Sequence, residues 1–231
     1  MLRLNDILLI SLVMNSQPKI HVLSNNSLLL DASHLSHNTL AIQEKIWALV
    51  NFCTKTNDFV DLVPAMNSLT LYLKSAHNLN KWRHALPQYW HDIKADSFVG
   101  KHHLIKTTYN GDDLTYVANY HNLSIQDVIN IHSKARYFVL FLGFQPGFAY
   151  LYGLDTRLHT PRRSEPRIKV PKGAVAIGAE QTGIYPADTP GGWHIIGHTK
   201  TALFDSTDSQ PCLIQPGDTI EFVDINKGGH S

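Results

Sequence analysis

An α+β unit followed by a mainly-β barrel is the fold class this 231-residue sequence predicts. Three observations predict it. Up to about residue 108, strand-like runs alternate with two stretches of helical spacing; beyond Tyr137 the apolar runs shorten to strand length; and Gly and Pro crowd the gaps between them, above all from Phe141 to Thr199.

Val22-Leu23 and Leu28-Leu29-Leu30 flank the turn cluster Ser24-Asn25-Asn26-Ser27, which predicts an opening hairpin or bent strand. Ile42, Ile46, Leu49 and Cys53 recur at spacings of four, three and four, one face of a helix with Asn38 as its N-cap. Phe59 to Val63 and Leu69 to Leu73 read as strands around a turn at Pro64 to Ser68. A second helix starts near Asn78 with Leu79, Trp82 and Leu86 on one face, and is expected to end or kink at Pro87, which has no amide hydrogen to give. His103 to Lys106 is a further strand. Strand, helix, two strands, helix, strand is the order of a ferredoxin-like α+β unit closing near residue 108.

Two helical segments follow, over 112–121 with Leu114, Val117 and Ala118, and over 124–132 opening on the capping-box pattern Ser124-x-x-Asp127. Tyr137 to Phe144 is an apolar run of strand length. Strand-sized pieces come next: Ile168 to Val170, Val175 to Ile177, Ile195 to Ile196, Ala202 to Phe204 and Thr219 to Val223, an all-β barrel or sandwich with long specified loops. The expected divisions are an extension over 1–19, the α+β domain over 20–108, the β-barrel domain over 109–224 and a polar tail over 225–231. Met14 is an alternative start.

Composition narrows the function. The 20 Lys+Arg against 19 Asp+Glu give a net charge of +1, so no electrostatic footprint for nucleic acid or an anionic membrane is present. The apolar run Ile7 to Val13 is shorter than the roughly 20 residues that cross a bilayer. Cys53 and Cys212 stand alone, which argues against a disulfide scaffold and a zinc site and suits a reducing cytoplasm. The 14 His are scattered, and no metal site is expected from them.

Gly and Pro specify turns at Gln145-Pro146-Gly147-Phe148 and Thr189-Pro190-Gly191-Gly192-Trp193, the mark of a chain placing side chains around a site. Arg162, Arg163 and Arg167, punctuated by prolines, are the candidates for carboxylate or phosphate recognition, because guanidinium forks bind oxyanions bidentately; pairing with Glu165, Asp155 or a partner's carboxylate is the other reading. Trp193 joins them as a substrate-binding candidate. Gln181 and Tyr185, expected on a loop, offer an amide and a phenol that either orient a small polar substrate or tie the loop down. His132 is a candidate general base, or else a histidine placed to suit a helix C-terminus. Gly192-x-x-x-x-Gly197-His198-Thr199 nearly spells a phosphate-binding loop, but the residues between its glycines read as strand and no helix follows, so the match is a coincidence.

Many spaced residues together resemble one family: Tyr109-x-Gly111-x-Asp113-Leu114-x-x-Val117-Ala118, His132, Tyr137, Gly143-Phe144-x-Pro146-Gly147-Phe148-x-Tyr150-Leu151, Pro161-Arg162-Arg163, Pro166-Arg167, Val170-Pro171-x-Gly173, Gln181 to Pro186, Pro190-Gly191-Gly192-Trp193 and Pro216-Gly217-Asp218. The family is that of the 5-oxoprolinase B subunits, also known as allophanate hydrolase subunit 1, and the resemblance covers about residues 20 to 223. It implies a ferredoxin-like N-terminal domain and a cyclophilin-like β-barrel. It further implies a cytoplasmic complex with a C-type (allophanate hydrolase subunit 2-like) and an A-type subunit, which opens 5-oxoproline to L-glutamate with ATP and Mg; this chain is expected to be inactive alone and to carry no biotin. Phosphorylation of the lactam oxygen would call for cations and oriented dipoles, chemistries that Arg162, Arg163, Arg167, Gln181 and Tyr185 possess. Two other roles sit beside this one: an inhibitor of a sensor histidine kinase, and half of a carboxyltransferase or allophanate hydrolase-type unit. A cyclophilin-like fold does not by itself imply prolyl isomerase activity.

Overall fold

The computed structural model describes residues 17–35, 39–95 and 100–228. The chain divides into two compact units, Met1–Phe98 and Val99–Ser231.

In the first unit, β1 (Lys19–Ser24) and β2 (Ser27–Asp31) form an antiparallel hairpin about Asn25-Asn26, followed by α1 (Thr39–Thr56), β3 (Phe59–Ala65), β4 (Ser68–Leu73) and α2 (Leu79–Asp92). The strands make one antiparallel sheet in the order β1-β2-β4-β3. Ile42, Ile46, Leu49 and Cys53 of α1 are buried, as their helical spacing requires, and pack with Leu28, Leu30, Leu69 and Leu71 in one apolar core. Asn38, the expected cap, lies outside the described residues. Helix α2 runs on past Pro87 instead of ending there: Trp82, Leu86 and Trp90 are all buried on one face, and that burial outweighs one missing hydrogen bond.

The expected β-α-β-β-α-β order is not carried through. The strand meant to complete it, β5 (His102–Thr107), pairs in parallel with β13 (Thr219–Asp224) inside the second unit. The edge position beside β2 is filled by β1.

The second unit continues with α3 (Leu114–Tyr120), α4 (Ile125–Lys134), β6 (Arg136–Leu142), β7 (Ala149–Tyr152), β8 (Arg167–Val170), β9 (Ala174–Gly178), β10 (Gln181–Ile184), β11 (Thr189–Gly191) and β12 (His194–His198). Ser124 caps α4 through the reciprocal box with Asp127 that the pattern predicts. A seven-stranded sheet runs β12-β9-β10-β7-β6-β13-β5. Thr108 and His198 exchange backbone bonds of 2.8 Å, joining the end of β5 back to β12, so the sheet is a nearly closed barrel. Ala202 to Phe204, expected as a strand, makes only an isolated bridge from Phe204 to Cys212.

Period-two alternation divides two apolar clusters between the faces of this sheet. Val175, Ile177, Ala149, Leu151 and Ile184 point into the barrel core. Ala174, Ala176, Phe148, Tyr185, Trp193 and Ile195 form a second cluster, with Val170 contributed from the short β8–β11 ribbon. Strand β9 is therefore buried along its whole length. Its small residues leave room for large rings: a Cβ on Gly178 would stand 2.5 Å from the Trp193 ring.

Candidate functional site

Gln145-Pro146-Gly147 does form the turn expected of it. Gly147 sits at φ +81°, and the Phe148 amide returns to the Gln145 carbonyl at 3.0 Å. That reversal brings Phe144 and Phe148 to the mouth and wall of a cavity of about 180 Å³, completed by Tyr150, Tyr185 and Trp193, with Gly191, Gly192, Pro166, Arg162 and Arg163 at its polar side. The aromatic walls are edge-on to one another: Phe148 meets Tyr185 at 5.3 Å and Trp193 at 5.5 Å between ring centroids.

The segment carrying the arginines is held from both sides. The Arg163 amide donates to the Gly192 carbonyl at 2.8 Å, and Nε2 of the buried His194 donates to the Pro161 carbonyl at 2.9 Å. His194 in turn stacks on Tyr116, rings 4.7 Å apart, and burial lowers the pKa of its imidazole.

Asp113 organises two of the three arginines. Only 4% exposed, its carboxylate accepts both terminal nitrogens of Arg167 (2.7 and 2.8 Å), Nη1 of Arg163 (3.1 Å) and the Ile195 amide (2.7 Å). Burial pulls its pKa upward, but the Arg167 hydrogen bonds and the Ile195 amide outweigh burial and hold it below the ordinary carboxylate value. The acids weighed from the sequence are not the partners: Asp155 pairs with Arg157, and Glu165 offers Arg163 only its backbone carbonyl, at 3.3 Å. Arg162 stands apart, exposed, with its guanidinium carbon 5.8 Å from the Trp193 ring centroid.

Of the residues picked from the sequence, the structure gathers Arg162, Arg163, Tyr185 and Trp193 around one cavity and sets Arg167 behind Arg163 on Asp113. Gln181 does not line it. It starts strand β10 rather than sitting on a loop, beyond the Ala179-Glu180 turn, and its buried Nε2 has no hydrogen-bond partner among the described residues. Burial raises the Tyr185 phenol, with the Trp193 backbone pulling the other way, so the phenol stays protonated at neutral pH.

His132 is inside the barrel core, fully buried, and does not reach the cavity. The Thr182 hydroxyl donates its one proton to the Ala176 carbonyl (2.9 Å), so at 2.9 Å it accepts from His132 Nε2; Nδ1 then accepts the Tyr109 hydroxyl proton at 2.7 Å. Burial pushes its pKa down to about 3. Both nitrogens are occupied, and the ring is a strut between α4 and β10. The Gly192 to Thr199 near-match to a phosphate loop lies along β12, and no helix begins directly after it.

Nothing in the residues around Asp113 marks it as the partner of Arg163 and Arg167. Its one signal was membership of the Tyr109 to Ala118 block.

Residues 18–214 match the carboxyltransferase domain family, subdomain C and D. The chain is 43% identical to the 5-oxoprolinase B subunit of Haemophilus influenzae, over 78% of this chain and 86% of that protein. It is 42% identical to the 5-oxoprolinase B subunit of Escherichia coli O157:H7, over 82% and 89%. Among solved structures, TTHA0988 superposes with a TM-score of 0.74 at 31% identity over 86% of this chain, which spans 39% of that longer one. The urea carboxylase of Kluyveromyces lactis shares the fold, with a TM-score of 0.70 at 21% identity over 91% of this chain and 22% of its own. With a family match over most of its length and two relatives above 40% identity, the chain belongs to the family of 5-oxoprolinase B subunits, of the carboxyltransferase subdomain C and D type.

Proposed function

We propose that this chain is the B-type component of a 5-oxoprolinase that opens the lactam of 5-oxoproline to L-glutamate with ATP, in a complex with C-type and A-type subunits and without activity alone. The observation that carries this reading is the identity of 42–43% to 5-oxoprolinase B subunits over about four-fifths of the chain. In the reaction we favour, the γ-phosphoryl group of ATP moves to the lactam oxygen and ADP leaves. Water then adds to the activated carbon and the C–N bond breaks, with the amine taking the proton and the carbon left as an acyl phosphate; a second water cleaves that acyl phosphate to the glutamate carboxylate and free phosphate. The aromatic walls of the cavity would shield the lactam from bulk water, and the protonated Tyr185 phenol would donate to its carbonyl. His132 acts through stability rather than proton transfer, and Gln181 through the fold of its hairpin. Mg·ATP is assigned to the assembled complex, because the one near phosphate loop of this chain is strand. In class, we read the first unit as a ferredoxin-like derivative and the second as a cyclophilin-like barrel.

Co-expression with C-type and A-type partners, followed by assay of ATP-dependent glutamate release from 5-oxoproline, tests the reading. Turnover is expected only with all three subunits. Full turnover with this chain left out, or none from the complete set, overturns it.

A further inference from the structure

Asp113 sorts the arginines beside the cavity into two kinds. Arg163 and Arg167 present their donors to one buried carboxylate, whose remaining lone pairs are used by the Ile195 amide. Their inward-facing nitrogens are committed, and withdrawing either one would leave a buried charge under-paired. Arg162 has no carboxylate within ion-pair distance and no hydrogen bond to protein among the described residues, although it lines the same cavity. Trp193 holds the Arg162 guanidinium over its ring face, and that ring is itself fixed from below by Gly178 and Gly183. A rigid ring under a planar cation lowers the entropy lost when the fork takes an anion.

We infer that Arg162 is the carboxylate handle of this cavity, and that its ligand is a small carboxylic acid whose uncharged body packs against the rings of Phe148, Tyr150, Tyr185 and Trp193. Size and polarity support this assignment. About 180 Å³ is below the range of roughly 300 Å³ and upward that drug-sized ligands need, so a nucleotide does not fit, whereas a five-membered ring bearing one carboxylate does. Four aromatic walls would leave a bare polyanion poorly solvated, yet suit an anion with an apolar side. The identity of the acid as 5-oxoproline rests on the oxoprolinase reading; the role of Arg162 does not.

The test is calorimetric titration of the full chain, alone and in the reconstituted complex, with 5-oxoproline, the neutral ring 2-pyrrolidinone, inorganic phosphate and ATP. Arg162→Ala and Arg162→Lys are compared with wild type, with Arg157→Ala as an exposed control. The expected result is a loss of 5-oxoproline affinity in Arg162→Ala of roughly ten- to hundredfold, the size of one charge-assisted contact. Arg162→Lys should recover part of it, pyrrolidinone binding should be unchanged, and in the complex KM should rise by the same factor with kcat within about twofold. Equal affinity in Arg162→Ala and wild type, equal loss for the neutral ring, no binding to chain or complex, or tighter Arg162-dependent binding of phosphate or ATP than of 5-oxoproline, overturns the assignment. Arg162-dependent binding of 5-oxoproline without glutamate release by the complex sinks the oxoprolinase reading and leaves the handle standing.

Discussion

Replacing Asp113 by Asn keeps the shape of the side chain and removes its charge, which isolates what the carboxylate contributes. In the structure one oxygen serves Arg163 and Arg167, and the other serves Arg167 and the Ile195 amide. An Asn oxygen can serve one of those sides. Its NH2 then faces donors on the other, so two buried contacts become donor against donor. A charge-assisted bond contributes about 1.5–3 kcal/mol and an orphaned buried donor costs about 1–3, but the Arg167 side chain keeps 20% of its surface in water, which relieves part of the loss. The expected net cost is about 3 kcal/mol, or a fall in Tm of about 10 °C for a unit of this size. Urea denaturation followed by near-ultraviolet dichroism measures it, and hydrogen exchange at the Ile195 amide should speed up before the rest of the barrel. The carboxyl titrates lower folded than its ordinary value of 3.8, so the stability it supplies is fully present above that pH and is lost as pH falls below it through the depressed folded value. The gap between wild type and Asp113→Asn should therefore be constant near neutrality and narrow below pH 3.8. A variant within about 0.5 kcal/mol of wild type at pH 7, where simple surface changes fall, would refute the reasoning.

His132→Gln should destabilise the second unit yet leave turnover per folded complex unchanged; a large drop in kcat with intact stability would restore a catalytic role. Because burial holds the His132 imidazole neutral down to about pH 3 instead of 6.5, the stability of the neutral ring is complete above pH 6.5. It is lost as pH falls from there toward 3, at up to about 1.4 kcal/mol per pH unit, and His132→Gln should flatten that slope in denaturation measured across the range. Gly178→Ala puts a methyl carbon where the Trp193 ring lies, so it should cost about 1–3 kcal/mol and weaken 5-oxoproline binding together; normal stability and binding would show that the ring is free to move.

Local signals carried far in this chain, and long-range ones did not. The spacing of Ile42, Ile46, Leu49 and Cys53 located α1, and Ser124-x-x-Asp127 located the start of α4, because both patterns act within a turn or two of helix. Nothing near His102–Thr107 says that its partner is Thr219–Asp224, so the strand read as the close of the first unit. Gln181–Ile184 read as loop since it is short and holds Gly183, whose missing side chain is what admits the Phe148 and Trp193 rings. For the cavity, the turn-forming glycines and prolines marked the right stretch and four of the chosen side chains meet there. The full burial of His132 was not legible because a helix-end position says nothing about depth, and the pairing of Asp113 was not legible because its partners lie 50 and 54 residues along the chain.

The barrel is bolted by its last strand. β13 lies between β5 and β6, so neither neighbour has its full complement of backbone partners until Thr219–Asp224 arrives. During synthesis the first unit has everything it needs once Asp92 has emerged, while the second must wait, with the edges of β5 and β6 open, for more than a hundred further residues. Nascent chains halted before β13 should therefore be the ones that recruit chaperones, and a C-terminal trim reaching into β13 should yield insoluble protein rather than a weaker enzyme.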